Sequence, residues 1–254
     1  MKHGIIIIHG MGQQSSGYSY GFQRKLQKYW RRSGNCIDDL VFKEICWSPL
    51  IEHQEAKMIN RMNVDLRYFE LRRFIIQSFG DVIAYQKTGV NSDFYSKVHC
   101  IILKKYFQIR SDLKKLINDN ENFKISFVAH SLGVSMVSNF LYDYRYQWCC
   151  NNRLDFHRIF SFGSTLPLWV LRNIKMDQPL PLYGQKKWIN MYADTDVLGY
   201  PLGTISDEYT KLVDKGFLKD IKVNPGSIFT SWNPLCHNYY WTSDDVIRVI
   251  ANEL

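Results

Sequence analysis

No stretch of this 254-residue chain approaches the roughly 20 apolar residues that a membrane helix needs, and the apolar part of the opening MKHGIIIIHGMG is too short for a signal-peptide core. A soluble, cytoplasmic protein is the expectation. The six cysteines, at positions 36, 46, 100, 149, 150 and 236, show neither CxxC pairs nor zinc spacing. Reduced, mostly packed thiols are expected, with Cys149 and Cys150 adjacent at a helix end, and the pattern argues against a disulfide framework or a metal knot. There is no Pro/Gly/Ser linker, low-complexity tract or fixed-period repeat, so no domain boundary can be placed. With 46% hydrophobic residues, residues 1–254 read as a single domain able to bury a large core. RNA-binding and zinc-finger signatures are also missing, which leaves nucleic acid without a recognisable reader.

What is present begins with charge. The formal net charge is +8, and its placement decides its use. In GFQRKLQKYWRR, Phe22, Leu26, Tyr29 and Trp30 recur at helical spacing while Arg24, Lys25, Lys28, Arg31 and Arg32 occupy the other faces. That is how an ordinary surface helix arranges charge, and peripheral contact with an anionic membrane surface is the second use such a face allows.

Short β-rich runs alternate with longer helical patterns, the mark of βαβ units around a mostly parallel sheet. Strands are expected at 4–9, 40–47, 123–129, 158–162, 188–192 and 218–223. Several are continuous apolar runs, as befits strands covered on both faces. Between them, Val98, Ile102, Tyr106, Ile109, Leu113 and Leu116 step by three and four and give one apolar stripe ending near residue 118. A last helix is expected over 243–252, opened by a Ser/Asp start. The fold class is therefore α/β: about six strands sandwiched by helices.

Within this frame KISFVAHSLGVSMVSNFL places Ser131 between an apolar strand and a helix. Serine is also a favoured helix N-cap, and small-x-Ser-x-Gly patterns arise by chance. Its surroundings argue for more. A serine at such a turn sits at the C-terminal edge of the sheet, and Ala129 and Gly133 are small enough to let strand and helix approach. The Leu132 N–H, at a helix N-terminus, points where an oxyanion would form. A second donor is offered by the loop His9-Gly10-Met11-Gly12, which follows a buried strand and whose glycines allow close backbone approach to a ligand. A serine hydroxyl needs a base. Of the seven histidines only His237, in NPLCHNYYW, lies on a late loop just before the last helix. The base needs a carboxylate, and WINMYADTDVLGYPLG supplies Asp194 and Asp196. Asp196 is preferred because it falls further along the loop, where the bend at 199–201 can return the chain beneath it.

HGMG, AHSLG, YADTDVLGYPL and CHNYYW stand in the order of the oxyanion loop, nucleophile, acid and base of the α/β-hydrolase family, which the sequence resembles over nearly its whole length. More narrowly, FGDVIAY at 79–85, AHSLG, FGSTLPLW at 162–169 and the D-V-x-G-Y-P run resemble bacterial serine esterases and lipases related to intracellular phospholipases and lipid-remodelling esterases. The resemblance implies an α/β-hydrolase fold, Ser131 as nucleophile, Asp196 as acid, His237 as base, N–H donors from Met11 and Leu132, and Gly10, Gly12 and His130 beside the substrate. It implies no metal and no cofactor. Two departures stand out: Ala129 replaces the more common first glycine of the elbow, and the chain opens on the oxyanion-loop strand where the family has two strands before it.

The implied reaction is acyl transfer to water, with a small-molecule or lipid acyl ester as substrate. The segment 51–92 carries apolar stripes, Met58, Ile59, Met62 and Leu66 and then Leu71, Phe74, Ile75 and Phe79, that suit a helical cap inserted over the site as well as ordinary core packing. Residues 165–184, with their prolines and large apolar side chains, suit a pocket rim. Thioesterase and acyltransferase chemistry use the same three groups, and a non-catalytic binding protein on this fold is the reading from another class.

Overall fold

A computed structural model of the chain describes residues 1–62, 67–87, 92–118, 121–150, 154–170, 179–226 and 234–254. Six strands, β1 (Lys2–Ile8), β2 (Leu40–Ile45), β3 (Phe123–His130), β4 (Arg158–Phe162), β5 (Lys187–Tyr192) and β6 (Leu218–Lys222), form one sheet in the order β2-β1-β3-β4-β5-β6. Every pairing is parallel, so the sheet expected to be mostly parallel is parallel throughout. The chain first winds outward from β1 to β2, then crosses back to β3 and continues the other way. Right-handed crossovers consequently place the helices of the two directions on opposite faces.

The run Ile5-Ile6-Ile7-Ile8 shows why β1 is central. All four side chains are fully buried, and with alternating direction they feed two cores. Ile5 and Ile7 pack with Phe22, Leu26 and Trp30 of α1 (Tyr20–Arg32) and with Val246, Ile247 and Ile250 of α9 (Asp244–Glu253). Ile6 and Ile8 join the other core, with Val98, Ile102, Tyr106, Ile109 and Leu113 of α4 (Ser92–Lys114) and most of α5 (Leu132–Asp143). Each such isoleucine contributes about 2 kcal/mol of burial. Gly4 marks where α4 crosses β1: a Cβ there would stand 2.7 Å from Leu113 Cδ1. The expected α4 stripe holds through Leu113. The helix stops at Lys114, so Leu116 lies beyond it, exposed.

The crossover from β2 to β3 also carries α2 (Pro49–Arg61) and α3 (Phe69–Ala84), the segment expected as a cap. Ile51 and Ile59 are buried, whereas Met58, Ile75, Phe79 and Ile83 are exposed; Leu66 and the side chains of Leu71 and Phe74 lie outside the described residues. The short helices α6 (Arg145–Cys149), α7 (Leu166–Val170) and α8 (Asp207–Asp214) complete the layers. Among the described residues no helix is long and apolar enough to cross a membrane. The thiols depart from expectation. All six are free, but Cys36, Cys100 and Cys150 are exposed and only Cys236 is buried. Cys100 sits two residues from both Val98 and Ile102, which turns it to the solvent side of the α4 stripe.

Burial leaves several histidines neutral. It pushes His9 and His99 down to about 4, and His3 likewise, with Lys124 assisting. An unfolded chain protonates these rings near 6.5. Their contribution, on the order of 3 kcal/mol for each of His9 and His99, is complete above that value and is lost as pH falls toward 4. The apparent Tm should therefore drop by several degrees between pH 7 and pH 4.5, and His99→Gln should make the drop shallower. A Tm independent of pH over that range would contradict neutral buried rings.

Candidate active site

The order β2-β1-β3 reverses the direction of winding between β1 and β3, and the crevice at the C-terminal ends of such a strand pair is where parallel α/β sheets place ligands. Two loops meet there. After β3 the chain turns through Ser131 at φ 53°, ψ −125°, one of two non-glycine residues with positive φ among the described residues. Such a conformation costs about 1–3 kcal/mol and is held from both sides. Ser131 N–H donates to the Phe162 carbonyl of β4 at 3.1 Å, and α5 begins at the next residue. At Gly133 a Cβ would stand 2.5 Å from the His9 carbonyl oxygen, so glycine is what lets α5 start against the end of β1.

The loop after β1 lies directly on the serine. A Cβ on Gly10 would stand 2.4 Å from Ser131 Cβ and 3.0 Å from Oγ. His9 fixes this loop from below. Its Nδ1–H donates to the Gly10 carbonyl at 2.8 Å, and Nε2 accepts the Trp47 N–H at 3.3 Å. Trp47 Nε1–H returns a bond to the His9 carbonyl at 3.1 Å, and the two rings stack with centroids 4.7 Å apart. A neutral ring carrying its proton on Nδ1 satisfies both contacts, which agrees with its lowered pKa. Gly12, at φ +89°, closes the loop and donates its N–H to Asp81 Oδ2 at 2.7 Å. Among the described residues the N–H groups of Met11 and Leu132 have no protein acceptor.

His237 arrives on the 3₁₀ segment Pro234–Thr242, ahead of α9. Its Nδ1 meets both carboxylate oxygens of Asp196, at 2.9 and 3.1 Å. Asp196 follows β5 and is itself fixed by the Leu198 N–H on Oδ1 at 3.0 Å. Gly199 passes so close that a Cβ would stand 2.3 Å from Asp196 Oδ2. Asp194 points elsewhere: it is exposed and paired with Lys222 at 2.6 Å, which lowers its pKa. The His237 ring lies over Gly163, where a Cβ would stand 3.0 Å from Cε1. Gly163 follows Phe162, the residue that receives the Ser131 N–H, so serine and histidine are brought to the same corner. Ser131 Oγ and His237 Nε2 are both buried and have no partner within the protein.

Of the residues expected beside the substrate, only Gly10 lies directly against Ser131. Gly12 has its N–H engaged by Asp81. His130 is buried and donates Nε2–H to the His237 carbonyl at 2.8 Å, with ring centroids 4.7 Å apart. It thereby supports the backbone of His237, and burial together with the nearby His237 ring holds its pKa well down. Sequence reasoning missed three supports. Trp47 clamps His9, Tyr240 Oη accepts the Ala193 N–H at 2.9 Å at the start of the loop carrying Asp196, and Asp81 holds Gly12. The stretches FGDVIAY and CHNYYW contain Asp81 and Tyr240, but nothing local in them specifies those contacts.

The chain matches no protein-family model, and no curated protein matches its sequence.

Proposed function

We propose that this protein is a serine hydrolase of the α/β-hydrolase fold that cleaves carboxylic esters through an acyl-enzyme. One observation carries this reading: a serine in a strained strand-to-helix turn and a histidine tied to a carboxylate have their two reactive atoms, Ser131 Oγ and His237 Nε2, buried and unpartnered in one corner. Buried polar atoms without partners are costly, and a reacting substrate would supply the missing ones.

In the reaction, Asp196 keeps the proton of His237 on Nδ1, which leaves Nε2 as the base. Nε2 takes the Ser131 proton as Oγ attacks the ester carbonyl, and the N–H groups of Met11 and Leu132 receive the developing oxyanion. His237 then returns the proton to the leaving alcohol. Water, deprotonated by the same nitrogen, releases the acid and restores Ser131.

Apolar acyl groups, including those of lipids, suit the surroundings best. Ile75, Phe79 and Ile83 are exposed at i, i+4 and i+8 of α3, on the side of the helix away from Asp81, which meets the loop, so the stripe is free to contact a lipid surface. Arg72, exposed at the start of that helix, adds positive charge beside the stripe, which fits peripheral contact with an anionic lipid surface.

Three outcomes follow. Ser131→Ala should abolish both fluorophosphonate labelling and ester hydrolysis while circular dichroism stays that of the folded protein; undiminished turnover would end the hydrolase reading. Asp196→Asn should lower kcat by roughly 10⁴, the scale seen when the histidine tautomer is mispaired, whereas Asp194→Asn, which removes only a surface pair, should cost far less; the reverse ranking would move the acid to Asp194. Medium-chain p-nitrophenyl esters should outrun acetate by well over tenfold, at about 0.8 kcal/mol per buried CH₂, and Phe79→Ser with Ile83→Ser should weaken binding to anionic vesicles while hydrolysis of soluble esters is kept. A flat chain-length profile would overturn the apolar-acyl reading, and vesicle binding unchanged in that variant would overturn the lipid-surface contact.

A further inference from the structure

Beneath the loop that carries Met11, two carboxyl groups meet. Asp81 on α3 is 1% exposed and Glu55 on α2 is 4% exposed. The helices approach where Gly80 passes Glu55, close enough that a Cβ on Gly80 would stand 3.5 Å from Glu55 Oε1. The two carboxyl groups are thus buried together where α2 meets α3. Two neighbouring carboxylates held away from water repel each other, which disfavours ionising both at once. The other face of Asp81 accepts the Gly12 N–H at 2.7 Å. The pair is thus connected to the peptide next to Met11 by a single, short, charge-assisted hydrogen bond.

Building on the hydrolase reading, we propose that Glu55 and Asp81 share one proton and act as a positioning pair for the oxyanion loop, their joint charge governing how well the Met11 N–H receives negative charge. The groups facing the pair come from every element around it. α2 contributes Glu52 as well as Glu55, with Glu52 Oε1 accepting the Ser48 hydroxyl at 2.7 Å. The loop contributes the Gly12 N–H, and the Gln13 side chain favours the charged form of Glu55. Burial pushes Asp81 up to about 7 against the opposing pull of Gly12, and the charge of Glu55 adds to the rise. Burial likewise pushes Glu55 up.

The sign follows directly. Below neutrality the pair holds its proton and carries one negative charge. Above it the proton leaves, and a second charge appears one residue from Met11 in a poorly screened environment. That charge opposes an oxyanion but hardly affects an uncharged ester carbonyl. The effect belongs to kcat, not to KM.

The test combines a resonance with a rate. The Gly12 amide is followed by ¹⁵N–¹H NMR of the full-length protein from pH 5.5 to 8.5, and p-nitrophenyl butyrate hydrolysis is measured over the same range. In the wild type, the Gly12 resonance and a fall in kcat should share a midpoint near the value of about 7 given by Asp81. In Glu55→Gln the Gly12 midpoint should move down. In Asp81→Asn, which mimics the protonated acid, Gly12 should stop titrating, and the fall in kcat, read against that variant's own low-pH plateau, should disappear. Asp81→Ala, which releases Gly12, should lower kcat by roughly tenfold or more with KM little changed, a fraction of the 10²–10³ lost when an oxyanion donor is removed outright. A Gly12 resonance that is flat in the wild type, or that titrates identically in Asp81→Asn, overturns the proposal, as does an alkaline fall in kcat that persists in Asp81→Asn. If no ester is turned over and Ser131 takes no fluorophosphonate label, while Gly12 titrates in the wild type and not in Asp81→Asn, the hydrolase reading fails and the shared proton's hold on the loop stands.

Discussion

The C-terminal ends of β1 and β3 are packed so closely that neither Gly10 nor Gly133 has room for a Cβ, and the rest of the site depends on this approach. Parallel neighbours in a sheet lie about 4.8 Å apart. The loops leaving them can touch only where side chains are absent. Gly10 brings the first loop onto Ser131, and Gly133 brings the α5 N-terminus onto the His9 carbonyl. The N–H groups of Met11 and Leu132, which have no acceptor among the described residues, therefore belong to segments in direct contact. The sheet order sets this up, because only between β1 and β3 do the two connections leave in opposite directions and open a crevice.

Around that contact the protein fixes Ser131, His237 and the loop carrying Asp196 through groups of other elements. Phe162 of β4 receives the Ser131 N–H. His130, the last residue of β3, receives no charge and uses its ring to hold the His237 carbonyl. Tyr240 ties the segment carrying His237 to the start of the acid loop. These bonds link strands β3, β4 and β5 to the late 3₁₀ segment, so the geometry is a property of the sheet edge and not of any one loop. Rigid positioning of this kind is what electrostatic preorganisation demands. The neutral state of His130 belongs to the same logic, since a cationic ring there would oppose a positive charge on the His237 ring 4.7 Å away.

The strands were legible in the sequence almost to the residue, because a sheet covered on both faces writes continuous apolar runs such as Ile5–Ile8 that no helix of that length would need. The α4 stripe was legible for the same reason until Leu113, after which a single leucine at the right spacing continued the pattern past the end of the helix. Ser131, Asp196 and His237 could be placed because each sits just after a strand or just before the last helix, where position in the chain translates into position at the sheet edge. Asp81 and Glu55 could not. Asp81 contacts Gly12 across 69 residues of chain, and a contact made by two helices of one long crossover leaves no local period. Burial of single cysteines was illegible too, since a thiol's fate depends on which side of a stripe it falls.

Charge is distributed with a consistent bias. The exposed ion pairs, such as Lys25 with Asp244 and Lys222 with Asp194, lie at the surface, where such pairs contribute little to stability. The buried carboxylates are instead concentrated at the site. Asp196 is matched to a histidine, and Asp81 is matched to a backbone N–H and to a second carboxyl. These two solutions to the same desolvation problem have opposite consequences. A carboxylate facing an imidazole supports a positive charge on the ring, where the proposed mechanism would place it. A carboxyl pair with one shared proton, as proposed for Asp81 and Glu55, would hold the loop in place with only one negative charge behind Met11. In the proposed hydrolase the first arrangement would stabilise charge that appears during the reaction, and the second would limit charge that opposes it.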